Sequence, residues 1–471
     1  MLVRGMGVGL ALLVASGASC RGENEVGDDG GSETRGESTS STSEVEATST
    51  TGAQEGATTD EMTTEPDLPP PSIDDCDRVD EIVRVLPELD PSDRAPRIES
   101  FIREVSYGEE GFPIVCAGRL VVVHWGEPDR ALSFAGEFNG WVPDEHLLTE
   151  PVPGLGFYVG DAEADGALGL YKLVDGSAEY FADPLARRFG WDAFGEYSQV
   201  RPISDRGHHE RWPAFDASVG GLTPRTVTVW VPPGLDALAE LVPVIYMHDG
   251  QSLFDPHAPF GGWRVSQTLA DALAAGMLPP LVVVGIDNTT DRFDEYTHVT
   301  DVINDVRVGG RADEYANFVV EGIKPFVEDR YPVSGDREHV AVMGSSLGGL
   351  VSLWIGLNHP TVFGHVASMS GTIAWGTLGA SHPTIVDHYV TTPPLGLRIY
   401  LDSGGAETLG CPDHGTDNYC GNQLMAETLR TLGWSDEDDL FYRWAPGAPH
   451  NESAWAERLL PALLAWFPGD P

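Results

Sequence analysis

The sequence predicts an α/β fold with a mostly parallel sheet, preceded by a small β-sandwich and by a stretch that builds no core. Three observations carry this expectation. From residue 206 onward, near-continuous apolar runs of five or six residues alternate with longer segments of helical period, the pattern of parallel strands covered by crossover helices on both faces. Within roughly 95–200, short strand-like runs recur about every ten residues with turn residues between them, the spacing of a sandwich. Between residues 21 and 74, large apolar side chains are almost absent. A chain of 471 residues is also too long for one ordinary domain.

Residues 1–20 read as an export signal. A single charge, Arg4, precedes the apolar run 8–15, and small residues lead to Cys20; the stretch is too short to span a membrane with flanks. Gly17-Ala18-Ser19-Cys20 resembles the cleavage box of bacterial lipoproteins, with Gly17 where Leu is usual. The resemblance implies lipidation of Cys20 and a membrane-anchored lipoprotein, periplasmic or at the cell surface. Cleavage without lipid would leave a simply secreted protein. Residues 21–74, rich in Ser, Thr, Glu and Gly and closing on Pro69-Pro70-Pro71, cannot bury enough surface to offset chain entropy and are expected to form a disordered acidic tether.

Composition changes at residue 75. The segment 75–205 is expected to hold a helix at 97–107, with Ile98, Phe101, Ile102 and Val105 on one face, and strands at 120–125, 131–134, 168–174 and 179–181. The segment 206–471 gives strands at 226–231, 242–247, 281–286, 339–344, 365–369, 397–401 and 440–444. Helices are expected at 264–275, 313–330, 350–357, 423–432 and 453–467. Ligands of such sheets bind at the carboxyl ends of the strands.

Charge excludes one class of partner. With 28 basic against 73 acidic residues the net charge is -45, and Lys172 and Lys324 are the only lysines. No basic stripe exists to displace phosphate counterions, so nucleic acid is not an expected partner. Residues 21–75 account for -13 of the excess, which leaves a strongly acidic surface on the folded part. The cysteines are Cys20, Cys76, Cys116, Cys411 and Cys420, without the C-x-x-C spacing of a zinc site. Bridges Cys76–Cys116 and Cys411–Cys420 are expected in an oxidising compartment. Buried free thiols are the alternative.

The chemistry centres on Gly344-Ser345-Ser346-Leu347-Gly348-Gly349, which follows an apolar strand and opens an apolar helix. Read as G-x-S-x-G, it makes Ser346 the serine of a strand-to-helix elbow, with its hydroxyl clear of the sheet. In the chain order of the α/β-hydrolase fold the acid and the histidine follow the serine. His450 lies between the last strand and the last helix, at the carboxyl edge of the sheet. The loop after residue 401 offers Asp402, Glu407, Asp413 and Asp417; Asp417 is chosen as the acid, with Glu407 in reserve. A Cys411–Cys420 bridge would brace that loop. An oxyanion hole needs two backbone N–H groups, expected from Leu347 and from Gln251 in His248-Asp249-Gly250-Gln251.

Two resemblances add to this. Residues 135–141, 171–176 and Asp183-Pro184 resemble the early-set, glycogen-binding type of carbohydrate-binding module, implying an immunoglobulin-like sandwich. Trp141 is its candidate for stacking on sugar, although a core role for Phe138 and Trp141, with the domain as a wall beside the site, is preferred. The motifs at 246–255, Gly262-Trp263, 284–288, Arg292 with Glu295-Tyr296-Thr297, and the elbow itself resemble the esterase D-like, or "putative esterase", family of enterochelin, feruloyl and acetylxylan esterases and mycolyltransferases. That resemblance implies acyl transfer by Ser346, Asp417 and His450. No metal or cofactor is expected, because acyl transfer by a serine nucleophile requires none. His298 stands where family members commonly carry Pro, and the acid loop is longer than usual. Trp263 and Arg292 are candidate substrate contacts, each with a structural alternative: packing under the sheet edge for Trp263, an Arg292–Glu295 pair for the other. The expected substrate is a small or carbohydrate-linked ester. An enterochelin-type siderophore ester and, from another class, a surface carbohydrate-binding protein with an inactive hydrolase domain are the alternatives. The sequence leaves the oligomeric state open.

Overall fold

Strands that alternate their side chains between two faces need cover on both, and here each strand of the parallel sheet contributes to two cores. The computed structural model describes residues 74–469 apart from 117, 164–168, 177–178, 203–205, 395 and 407–415. In strand Val244–His248, Val244 and Tyr246 face one core, while Ile245 and Met247 face the other. Strand Val340–Ser345 does the same, with Val340 and Val342 on one side and Ala341 and Met343 on the other. The first core is closed by helix Leu347–Asn358, and the second by helices Val265–Ala274 and Glu452–Trp466. Each fully buried Val, Leu or Ile adds roughly 1.5–3 kcal/mol of hydrophobic stabilisation.

The sheet runs in the order Leu440–Trp444, Arg398–Ser403, His365–Met369, Val340–Ser345, Val244–His248, Val282–Ile286, all parallel. Arg225–Val231 and His208–Phe215 follow antiparallel. This is the α/β-hydrolase arrangement expected from the sequence, with the elbow on a central strand. His208–Phe215 also pairs with Arg188–Asp192, so the ladder runs without a break past the boundary expected at 205/206. The described residues belong to one compact unit, Pro71–Pro471.

At the amino-terminal end, strands Ile114–Cys116, Arg119–Trp125 and Phe157–Glu163 form a separate sheet. Its residues Leu120 and Val122 pack toward the strands around Phe134 and Leu173, whereas Val121 and Val123 pack under helices Asp75–Val85 and Pro91–Ser106. Cys76 and Cys116 form a disulfide that ties the first helix to the edge strand. Cys420 is also disulfide-bonded; its expected partner Cys411, like Cys20 and the tether, lies outside the described residues.

The helix expected at 313–330 is interrupted. Ala312–Asn317 and Lys324–Arg330 are α-helical, and Phe318–Ile323 between them widens into a π segment. Pro325 explains this, because it removes a backbone N–H and crowds the carbonyl four residues earlier.

The join between the sandwich strands and the parallel sheet is polar and buried. Glu210 accepts from the Tyr331 hydroxyl at 2.7 Å and from Arg188 Nε at 3.2 Å, and Trp212 Nε1 donates to Tyr331 at 2.9 Å. Burial opposes the charge on Glu210, but His208, Arg188 and the Tyr331 hydroxyl more than offset it and hold the carboxyl at about 2, below its ordinary 4.5. A depressed carboxyl stabilises the fold above its unfolded value and loses that contribution as the pH falls toward its folded value. Glu210→Gln is therefore expected to cost about 3 kcal/mol near neutrality. Its deficit in denaturant melts should shrink as the pH falls from 4.5 toward 2.

Candidate active site

Ser346 is the single residue between strand Val340–Ser345 and helix Leu347–Asn358. Its φ of 56° and ψ of -122° are unfavourable for an L-residue and persist only when the surroundings impose them. The turn can close because residue 344 is glycine: a Cβ there would lie 2.7 Å from the backbone of Gly348. The elbow is pinned to the neighbouring strand end, since Ser346 N–H donates to Met369 O at 2.9 Å and Thr372 N–H donates to Ser346 O at 3.0 Å. Ser346 Oγ lies 3.4 Å from Thr372 Oγ1. Ser345, by contrast, is buried at the end of the strand.

His450 follows strand Leu440–Trp444 and precedes helix Glu452–Trp466, whose first turn is capped by Asn451 accepting from Ala454 N–H at 3.1 Å. Asp417 sits in the turn Thr416–Asn418 before helix Tyr419–Leu432. His450 Nδ1 and Asp417 Oδ1 are 2.6 Å apart. The other carboxylate oxygen, Oδ2, accepts from the Ser370 hydroxyl at 2.6 Å and from Gly404 N–H. Two donors on Oδ2 leave Oδ1 for the imidazole, which must donate from Nδ1. Nε2 then carries the lone pair, the tautomer a general base requires. His450 stands edge-on to Trp455, with ring centroids 5.0 Å apart. No hydrogen bond joins Ser346 Oγ to His450 among the described residues; such contacts are often long before substrate arrives.

The loop 248–251 abuts the elbow. A Cβ on Gly348 would lie 3.3 Å from Asp249 Oδ2 and 3.4 Å from His248 Cβ. Among the described residues neither Leu347 N–H nor Gln251 N–H carries a hydrogen bond, so both donors are available in the same neighbourhood. Burial holds His248 down at about 3, so it is neutral; its Nδ1 lies 2.9 Å from the Tyr315 hydroxyl.

The two candidate substrate contacts take structural places. Arg292 clamps Asp249 with two bonds, Nε to Oδ1 at 2.7 Å and Nη2 to Oδ2 at 2.8 Å, and so fixes the loop that presents Gln251. It does not pair with Glu295, which is fully buried against Arg225 at 2.6 and 2.8 Å. Trp263 is 2% exposed and packs on Trp455 at 5.6 Å, beneath the histidine rather than in open space. The reserve acid Glu407 lies outside the described residues. Asp402, the alternative acid, lies near the end of strand Arg398–Ser403 and is committed to Arg458, with Arg458 Nε donating to Oδ2 at 3.0 Å.

Sequence reasoning passed over Thr372, Ser370 and Arg458. Arg458 did leave a signal: it is the only cation in the final helix and lies one turn beyond Trp455 on the buried face. Two further carboxyls stand near the loop 248–251. Asp287 packs on Gly250, where a Cβ would meet its Oδ1 at 2.7 Å, and burial pushes it up to about 7. Glu452 opens the helix after His450, and burial raises its carboxyl too. Among the described residues the one grouping of three metal-ligating side chains is Asp74, Cys76 and Cys116, whose two sulfurs are already joined.

Residues 222–466 match the family described as "Putative esterase". The chain is 28% identical over 250 residues to an iron(III) enterobactin esterase of Escherichia coli O6:H1, covering 51% of this chain and 54% of that protein. It thus spans about half the length of that relative. It is 27% identical over 250 residues to the uncharacterised protein YbbA of Bacillus subtilis, covering 52% and 93%. With an endo-1,4-beta-xylanase/feruloyl esterase of Xylanibacter ruminicola it shares 23% identity over 268 residues, covering 55% and 31%. Among solved structures, an enterobactin esterase of Shigella flexneri aligns at 19% identity over 78% of this chain and 98% of that one, with a TM-score of 0.42.

Proposed function

The chain belongs to the "Putative esterase" family of carboxylic ester hydrolases, and from that premise and the arrangement around Ser346 we propose that it is an exported serine esterase working through an acyl-enzyme. The observation that carries the reading is the 2.6 Å contact between His450 Nδ1 and Asp417 Oδ1, at the edge of the sheet where the Ser346 elbow opens. Nε2 of His450 takes the Ser346 proton as Oγ attacks the ester carbonyl. The N–H groups of Leu347 and Gln251 hold the tetrahedral oxyanion. His450 then protonates the departing alkoxide, and water attacks the acyl-enzyme by the same route.

The preferred substrate is a neutral ester, small or carried on carbohydrate. Arg292, the cation against the oxyanion loop, is already neutralised by Asp249. A polyanionic ferric catecholate would gain little from that paired cation and would meet the repulsion of a chain whose net charge is -45. The relationship to an iron(III) enterobactin esterase supports the siderophore ester as the second reading. A turnover screen over p-nitrophenyl acetate, methyl ferulate, acetylated xylan and enterobactin separates the two. The neutral esters should give the higher kcat/KM, and a clear preference for enterobactin would reverse the assignment.

Export is supported by the signal-like residues 1–20 and by the Cys76–Cys116 disulfide. With Cys20 as the lipid attachment point, Cys20→Ala should move the protein from the membrane fraction to the soluble exported fraction. An unchanged distribution would remove the anchor from the account.

A further inference from the structure

Beneath the candidate acid lies a buried polar group that the acyl-transfer steps do not use. Ser370, fully buried at the end of strand His365–Met369, has its Oγ in contact with three partners. Asp417 Oδ2 is 2.6 Å away, Trp455 Nε1 3.0 Å and Arg458 Nη2 3.0 Å. Indole and guanidinium nitrogens only donate, and a hydroxyl has one proton and two lone pairs. With both lone pairs occupied, the Ser370 proton has one destination, Asp417 Oδ2.

Arg458 is itself held in place. Its Nε and Nη2 donate to Asp402 at 3.0 and 3.3 Å, and Asp402 Oδ1 also accepts from Ser370 N–H at 3.2 Å. Asp402 is fully buried, and Arg458 Nη2 lies 3.7 Å from Asp417 Oδ2, so the guanidinium sits between two carboxylates.

We propose that Ser370, Arg458 and Asp402 are positioning residues that fix the direction of the Ser370 proton and thereby commit Asp417 Oδ1 to His450. This rests on the Ser346, Asp417, His450 reading. Without the relay the Ser370 hydroxyl can turn, Oδ2 loses a fixed donor, and the carboxylate can rotate away from the imidazole. The effect should fall on kcat, because all three side chains are buried.

The test is a double-mutant cycle on the full chain. Ser370 has φ 49°, which glycine adopts without strain, so Ser370→Gly removes the hydroxyl and keeps the backbone. The expected result is a kcat about 10- to 100-fold lower with KM unchanged, and little further loss when the same change is made on Asp417→Asn. Wild-type kcat for Ser370→Gly, or an equal loss in both backgrounds, overturns the relay. If Asp417→Asn is itself fully active, the triad reading fails instead. Should Ser370→Gly melt early, Trp455→Phe keeps an aromatic ring at the site and removes the N–H together with part of the indole. It should lower kcat about fivefold, and unchanged turnover there overturns the proposal.

Discussion

Ser346→Ala should lower kcat for ester hydrolysis by about a millionfold and leave the melting transition close to that of the parent. The two halves of this expectation have separate causes. Turnover falls because the attacking oxygen is gone, and only oxyanion stabilisation and binding remain to act on direct attack by water. Stability holds because Ala and Ser bear the same backbone cost at φ 56°, and among the described residues the hydroxyl makes a single long hydrogen-bond contact, 3.4 Å to Thr372. Steady-state rates and thermal melts on the same preparation check both. A folded variant with ordinary turnover would move the nucleophile elsewhere.

Asp417→Asn should lower kcat by about ten thousandfold with little change in KM. Ser370 O–H and Gly404 N–H both donate to Oδ2, so an amide at this position turns its oxygen toward them and its NH2 toward His450. The imidazole must then accept at Nδ1 and carry its proton on Nε2, where it cannot take one from Ser346. Glu407→Gln is the companion measurement, and should turn over like the parent. A crippled Glu407→Gln beside an active Asp417→Asn would exchange the two roles.

The elbow and the place of His450 were legible because their signals are local. Gly344 and Gly348 bracket Ser346 in five residues, and His450 lies between a recognisable last strand and last helix. The carboxylate that faces His450 was harder. Asp402 and Asp417 look equivalent in the loop, and what separates them is a partner 56 residues away: Arg458 takes Asp402 and leaves Asp417 for His450. The same reason hid Ser370, whose tie to Asp417 spans 47 residues. Arg292 and Glu295 are near neighbours in sequence, but the partners of both come from other strands and loops, Asp249 for one and Arg225 for the other. Alternation and period located the strands of the parallel sheet, yet not the continuity of the sheet into Arg188–Asp192. That depends on pairing between segments, which no single segment encodes.

The central claim is that Ser346 is an activated nucleophile, and active-site labelling addresses it most directly. A fluorophosphonate probe, followed by peptide mapping, should place one adduct on Ser346, none on Ser345, and none in Ser346→Ala; in His450→Ala labelling should slow by orders of magnitude. Folded protein that takes no label, or takes it on Ser345, would contradict the account and favour a binding protein built on an inactive hydrolase fold.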